Sequence, residues 1–311
     1  MECKKEPLLD IRELSVSFCM YGQGLRQSEL QVISNLNFSV YPGEIAAIAG
    51  SSGSGKSLLS SAILGILPGN ASVRGHMYYK GEELTQKRQK KLRGNEISLV
   101  PQSVAYLDPL MKAGRQAEGH RRPRPVQKRR QLFQRFGLPD NTENLYPFQL
   151  SGGMARRVLV SAALIADAEL IIADEPTPGM SLEQSMEALR MFREMADEGK
   201  AVVLITHDID LAFEFADRVT VFYAGTAVET APASDFKKGP AALRHPYSKA
   251  LWRALPQNEF RPIEGSQPLP GSLPEGCLFA PRCPYRTKRC EAGTPPMRSV
   301  RGGEVRCYYG S

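Results

Sequence analysis

The sequence predicts an α/β domain built on a mostly parallel sheet. Two patterns carry that expectation: short all-apolar runs that alternate with helical periodicities, and a glycine-rich loop set between one such run and a helix. A third observation marks where the pattern stops. Of the 23 prolines, 12 lie after position 230, as do four of the six cysteines, so the last 81 residues are built differently from the first 230.

Residues 8–18 alternate apolar and polar, as a half-buried strand does, and residues 32–40 repeat the pattern. Residues 41–44 read as a turn. Residues 45–49 form a short apolar run, the mark of a buried central strand. The Gly/Ser loop follows, then a helical pattern over 56–67. Residues 97–100 are a further apolar run. Residues from about 103 to 166 lack strong strand runs and read as a helical subdomain. Buried strands are expected at 170–173, 202–206 and 219–223, with helices at 182–196 and 209–216 between them. Past Thr230 the pattern dissolves into proline-rich chain with short elements. The expected division is therefore 1–230 and a small irregular extension over 231–311. No internal repeat marks a solenoid.

Composition sets the outer limits. The chain has 311 residues, 42% hydrophobic and 23% charged, with 40 Lys+Arg against 33 Asp+Glu and a net charge of +7. That is a globular balance, not a disordered, collagen-like or disulfide-stapled one. The most apolar stretch, 158–173, carries Asp167 and Glu169 and falls short of the ~20 apolar residues of a spanning helix. The N-terminal charges are not followed by an apolar run, so no signal peptide is read there. The chain is expected to work in the cytoplasm, where structural disulfides are rare.

Gly50-Ser51-Ser52-Gly53-Ser54-Gly55-Lys56-Ser57 fits G-x-x-x-x-G-K-[ST], with a strand before and a helix after. Glycines let backbone N–H groups curl around phosphates, and the helix N-terminus adds partial positive charge. Lys56 is placed to reach the β- and γ-phosphates of a nucleotide, and the Ser57 hydroxyl to ligate magnesium. Asp174 and Glu175 follow the buried run Leu170-Ile171-Ile172-Ala173, so they emerge at the C-terminal end of a strand, where ligands sit in open parallel sheets. Asp174 can join the magnesium shell. Glu175 can act as general base on an attacking water.

Leu150-Ser151-Gly152-Gly153-Met154 resembles the signature of ABC transporter ATPases, and with Lys56, Asp174 and Glu175 the resemblance is specific. It implies a P-loop ATPase fold with a parallel central sheet, an antiparallel part and a helical subdomain. It implies that Gln102 couples nucleotide to a membrane subunit and that His207 sits at the γ-phosphate. It places Phe18 at the adenine-stacking position, with Tyr21 close enough to serve instead, while a core strand residue is the plainer reading of Phe18. Ser151, Gly152 and Gly153 open a helical run and can face an anion. In the resembled family they contact ATP bound to the opposite subunit, so two chains sandwich two nucleotides. The family usually has aspartate at the position of Ser181. The departure implies unequal sites, which a heterodimer with a related ATPase tolerates; a homodimer remains open.

Several stretches narrow the resemblance to the peptide/nickel importer branch, among them Leu145–Met154, His245-Pro246-Tyr247 and Gly276–Pro284 with Cys290. The branch implies ATP hydrolysis that powers uptake of peptides, nickel or metal chelates. It implies two permease subunits as partners, an extracytoplasmic solute-binding protein, and a place at the cytoplasmic face of the membrane. Cys277, Cys283, Cys290 and Cys307 have gaps of 5, 6 and 16 residues, unlike the tight pairs of common zinc sites. They can hold an iron–sulfur cluster or zinc, with Arg282, Lys288 and Arg289 favouring thiolates, or pack as small hydrophobes. Some members of the resembled branch hold such clusters. The basic run 120–130 lacks the interleaved aromatics of a nucleic-acid platform and reads as a solvated or membrane-proximal helix. A DNA-repair ATPase would insert coiled coils between the loop and the signature, but Lys56 and Ser151 are only 95 positions apart. A translation factor of this kind would carry two cassettes. A metal- or redox-sensing tail that regulates the ATPase is the remaining rival.

Overall fold

The computed structural model describes residues 6–21, 27–51, 53–119 and 125–309. Within them the chain builds two sheets. The smaller is antiparallel and contains β1 (Leu9–Tyr21), β2 (Gln27–Val40), β4 (Ala71–Tyr79) and β5 (Glu82–Glu83), in the order β2-β1-β4-β5. The larger contains β3 (Ile45–Gly50), β6 (Ile97–Val100), β7 (Leu170–Asp174), β8 (Ala201–Thr206), β9 (Arg218–Tyr223), β10 (Thr226–Pro232), β11 (Met297–Val300) and β12 (Gly303–Arg306). Its order is β11-β12-β10-β9-β3-β8-β7-β6. From β9 to β6 the neighbours run parallel, and from β9 to β11 antiparallel. The expected mostly parallel α/β sheet with an antiparallel part is borne out.

The apolar runs are the parallel centre. Every residue of β3, β7 and β8 is buried, because both faces of the sheet are covered. In β3, Ile45, Ala47 and Ala49 belong to one core and Ala46 and Ile48 to the other. The first core lies among α5 (Gly152–Ile165), α6 (Leu182–Asp197) and α7 (Ile209–Phe215). The second lies among α1 (Lys56–Leu64) and the antiparallel sheet. Helix α1 stops three residues before the expected end, because Gly65 turns left-handed at φ 63° and returns its N–H to Ala62 O. Strand β4 and helix α2 (Gln86–Leu92) carry no strong sequence signal. In β4 only Met77 and Tyr79 are buried, so its period-2 pattern is weak.

Helices α3 (Ala113–Glu118), α4 (Val126–Arg135) and α5 fill the expected helical stretch. Residues 120–124 of the basic run lie outside the described residues. Arg129 departs from the solvated reading. It is buried in α4, its Nε 2.9 Å from Glu118, with Glu143 as a second partner.

The C-terminal segment is more regular than its composition implies. It forms α8 (Ala233–Lys237), α9 (Pro246–Ala254), α10 (Lys288–Ala292) and the β11–β12 hairpin. Val305 and Glu304 of β12 pair with Glu229 and Thr230 of β10, so a boundary at 230/231 falls inside a strand that this segment itself extends. Buried Arg244 pins it, donating to Glu229, Asp235 and the Val300 carbonyl. Short-range pattern does not reveal this, because the pairing spans some seventy residues.

Candidate nucleotide site

Strand β3 delivers the chain into the loop at Gly50. A Cβ there would lie 2.3 Å from Phe222 O on β9, so only glycine passes. Gly53 and Gly55 have φ of 76° and 98°, where side chains are strained. Ser52 lies outside the described residues. Lys56 opens α1 and is 6% exposed. Its Nζ donates to Gly50 O at 2.8 Å and Ser51 O at 2.9 Å, so the ammonium folds back over its own loop. Burial pushes its pKa below the ordinary lysine value, while the charges of Glu175 and Asp174 oppose that shift. Ser54 Oγ is buried with no partner among the described residues. A buried hydroxyl without a partner and a buried ammonium held only by carbonyls are groups that a phosphate would satisfy.

The carboxylate pair stands beside the loop. Ser57 Oγ donates to Asp174 Oδ1 at 3.0 Å and Ser60 Oγ to Oδ2 at 3.2 Å. Burial raises the Asp174 pKa, and these two hydroxyls hold it down in part. A hydroxyl and a carboxylate side by side are the oxygen ligands that magnesium takes, so the residues fit that ion. Glu175 sits at φ 49°, in the left-handed region, with its N–H bonded to Ile205 O at 2.8 Å. That backbone turn carries its carboxylate to His207, whose Nδ1 lies 2.7 Å from Oε2. Parallel pairing of β7 with β8 makes the contact possible, since Asp174 lies opposite Ile205. Glu175 is buried, whereas the His207 side chain is 56% exposed. A buried base candidate thus meets an imidazole that reaches solvent.

Arg156 is not singled out by the sequence pattern, nor is Ser60. Arg156 lies on α5, three residues after Gly153, the last signature glycine, and is 5% exposed. It donates to Pro101 O at 2.6 Å and to Gln102 O, tying the signature helix to the segment after β6. Burial lowers its pKa, against the charges of Asp174 and Glu175. Gln102 itself is exposed. The hint in sequence is the arginine pair Arg156-Arg157 inside a mostly apolar helical run.

Ser151 caps α5, its Oγ accepting from Met154 N–H at 3.3 Å. Gly153 packs so closely that a Cβ would lie 2.7 Å from Gly179 O. Ser181 caps α6 in a reciprocal box with Gln184. Phe18 is half-buried on β1 and packs against the second core. The side chain of Tyr21 lies outside the described residues.

The four C-terminal cysteines converge, close enough that their charges would interact. Cys277 N–H bonds Cys290 O at 2.8 Å. Burial pushes the Cys277 thiol up to about 11 and raises Cys283 as well, which disfavours thiolates. Among the described residues no three His, Cys, Asp or Glu side chains are grouped as a metal needs. As placed here, the set gives an iron–sulfur cluster or zinc no support. The expected cationic help is directed elsewhere: Arg282 binds the carbonyls of Ile263 and Glu264, and Arg289 lies over the Tyr308 ring.

Fold and site together define an ATP-binding cassette ATPase, a phosphate-binding loop with a carboxylate pair on a parallel sheet and a signature helix beside it. Residues 33–178 match the family model of the ABC transporter, and residues 228–290 match that of the oligopeptide/dipeptide transporter, C-terminal region. The dipeptide transport ATP-binding protein of Escherichia coli (strain K12) is 34% identical over 97% of this chain and 96% of its own. The protein of the same name from Bacillus subtilis (strain 168) is 34% identical over 93% of this chain and 90% of its own. The dimeric ATP-binding cassette MJ0796, solved in a post-hydrolysis state bound to ADP and Pi, is 26% identical with a TM-score of 0.64, over 72% of this chain and 98% of that one. The chain belongs to the ATP-binding subunits of ABC transporters.

Proposed function

We propose that this chain hydrolyses ATP to drive a membrane importer of peptides. The names of its relatives and the match of its C-terminal region support peptide cargo over nickel or metal chelates. No helix among the described residues is long and apolar enough to cross a membrane, so the passage itself is assigned to partner subunits. The partners in this reading are two permease subunits, a second ATPase subunit of the same or a related kind, and an extracytoplasmic solute-binding protein. The chain lies peripherally at the cytoplasmic face.

The contact that carries the chemical reading is Glu175 Oε2 to His207 Nδ1, 2.7 Å, at the lip of the phosphate loop. Lys56 leaves the Gly50 and Ser51 carbonyls for the phosphates, which are better acceptors for an ammonium. Loop N–H groups from Ser51 to Ser57 and the Ser54 hydroxyl orient the same phosphates. Ser57 and Asp174 would hold magnesium, which neutralises charge on the transferring phosphoryl group. Glu175 takes the proton of the attacking water, and His207 holds its carboxylate in place and faces the γ-phosphate. Phe18 stacks on adenine. Gln102, fixed through its carbonyl by Arg156, passes occupancy to the permease. The signature of one chain completes the site of the other.

The test is Glu175→Gln in the assembled transporter. MgATP should still bind and hold the dimer closed, while turnover falls by about 10²-fold or more. Turnover at the normal rate would show that the base lies elsewhere. Uptake by vesicles carrying the complete transporter separates cargoes: nickel uptake without dipeptide uptake would sink the peptide reading.

A further inference from the structure

The phosphate-loop pattern leaves position 51 free, yet Ser51 is held from outside the loop. Its hydroxyl donates to Gln267 Oε1 at 2.7 Å, across 216 residues of sequence. The Tyr247 phenol lies beside Ser51 as well. Both partners belong to the C-terminal segment, and both are themselves anchored. Tyr247 is buried at the start of α9, its ring centroid 4.5 Å from Tyr223 and 5.4 Å from Phe279. Tyr223 ends β9, the strand that pairs with β3 up to Gly50. Gln267 follows a stretch gripped by Arg282, which donates to Glu264 O at 2.8 Å and Ile263 O at 3.0 Å and lies over the Tyr223 ring. Further along, Gly271 packs on Leu30 of β2.

We infer that the C-terminal segment positions the phosphate loop for ATP through Ser51, with Tyr247 and Gln267 as the positioning residues. The inference rests on the reading of this loop as the ATP site. The Ser51 carbonyl is one of two that hold the Lys56 ammonium, so fixing Ser51 fixes the lysine's resting place. A glycine-rich loop otherwise loses backbone freedom when ATP orders it. A clasp that orders Ser51 beforehand removes part of that cost from binding. The segment therefore acts on ATP affinity, and on the chemical step only through it.

Affinity for a slowly hydrolysed ATP analogue with magnesium, measured on the full chain, tests this. Binding by the unaltered chain tests the underlying reading by itself. Tyr247→Phe keeps the ring in its aromatic cluster and loses only the hydroxyl; Gln267→Leu loses only the amide. Each should weaken binding about 3- to 10-fold, the range for one lost hydrogen bond. Ser51→Ala should weaken it similarly, Ser51→Thr should keep it, and adding Gln267→Leu to Ser51→Ala should cost nothing more. In the assembled transporter the tail variants should raise KM for ATP and leave kcat within about two-fold. Unchanged or tighter binding in both tail variants, or a fully additive double variant, overturns the inference.

Discussion

Acidification should loosen the C-terminal segment at one buried histidine. His245 is 1% exposed and caps α9, its Nδ1 accepting the Tyr247 N–H at 3.0 Å. The ring must therefore be neutral, because a proton on Nδ1 would destroy the cap. Its backbone N–H is held by buried Glu229 at 2.7 Å. Burial, with a smaller push from the Lys249 charge, lowers its pKa to about 3. In the unfolded chain the value is about 6.5. Between these values the unfolded state binds the proton and the folded state does not, so stability falls as pH drops below about 6.5. At about 1.4 kcal/mol per pH unit, going from pH 7.5 to 5 costs about 2 kcal/mol from this residue. His245→Asn keeps a capping acceptor and cannot titrate. Urea unfolding of both chains at the two pH values measures the difference, since every other titrating group is shared. The unaltered chain should lose about 2 kcal/mol more than the variant; equal losses would refute the buried neutral cap.

Asp174→Asn should raise the melting temperature of the nucleotide-free chain at pH 7.5 while abolishing magnesium-dependent ATP turnover. Burial raises the folded pKa, so stability is highest in acid and is lost as pH rises through that raised value; asparagine is spared this, and a lower melting temperature would contradict the sign. Arg156→Met orphans the carbonyls of Pro101 and Gln102 and should cost about 2–4 kcal/mol in denaturant unfolding, with Arg156→Lys recovering part. A loss under about 0.5 kcal/mol would remove Arg156 as the tie to Gln102. Gly152→Ala meets open space at the start of α5 and should stabilise by up to about 1 kcal/mol, whereas Gly153→Ala meets Gly179 O and should show no such gain. Equal gains in thermal melts would mean the two segments are not in contact.

The parallel centre of the fold was legible because it is local. Runs such as residues 45–49 and 201–205 are apolar at every position, since both faces of those strands are covered, and no tertiary knowledge is needed to see it. The phosphate loop was legible for a related reason: curling backbone around phosphate demands glycine at fixed spacing, and that demand is written in consecutive residues. Strand β4 and the tail hairpin were not legible, because half-exposed strands take their pairing from partners far along the chain. The four cysteines illustrate the limit from the other side. Spacing left a metal site open, and the placement of side chains among the described residues lends it no support. What the sequence by itself determined is which residues are candidates for the motor's chemistry: Lys56, Ser57, Asp174, Glu175 and the signature, each tied to its neighbours in the chain. What only the tertiary structure decided is how those parts are held, Glu175 against His207, Gln102 under Arg156, and Ser51 between Tyr247 and Gln267. Each of those contacts joins residues from separate strands, helices or loops, and only the order of strands in the sheet brings them within hydrogen-bond reach.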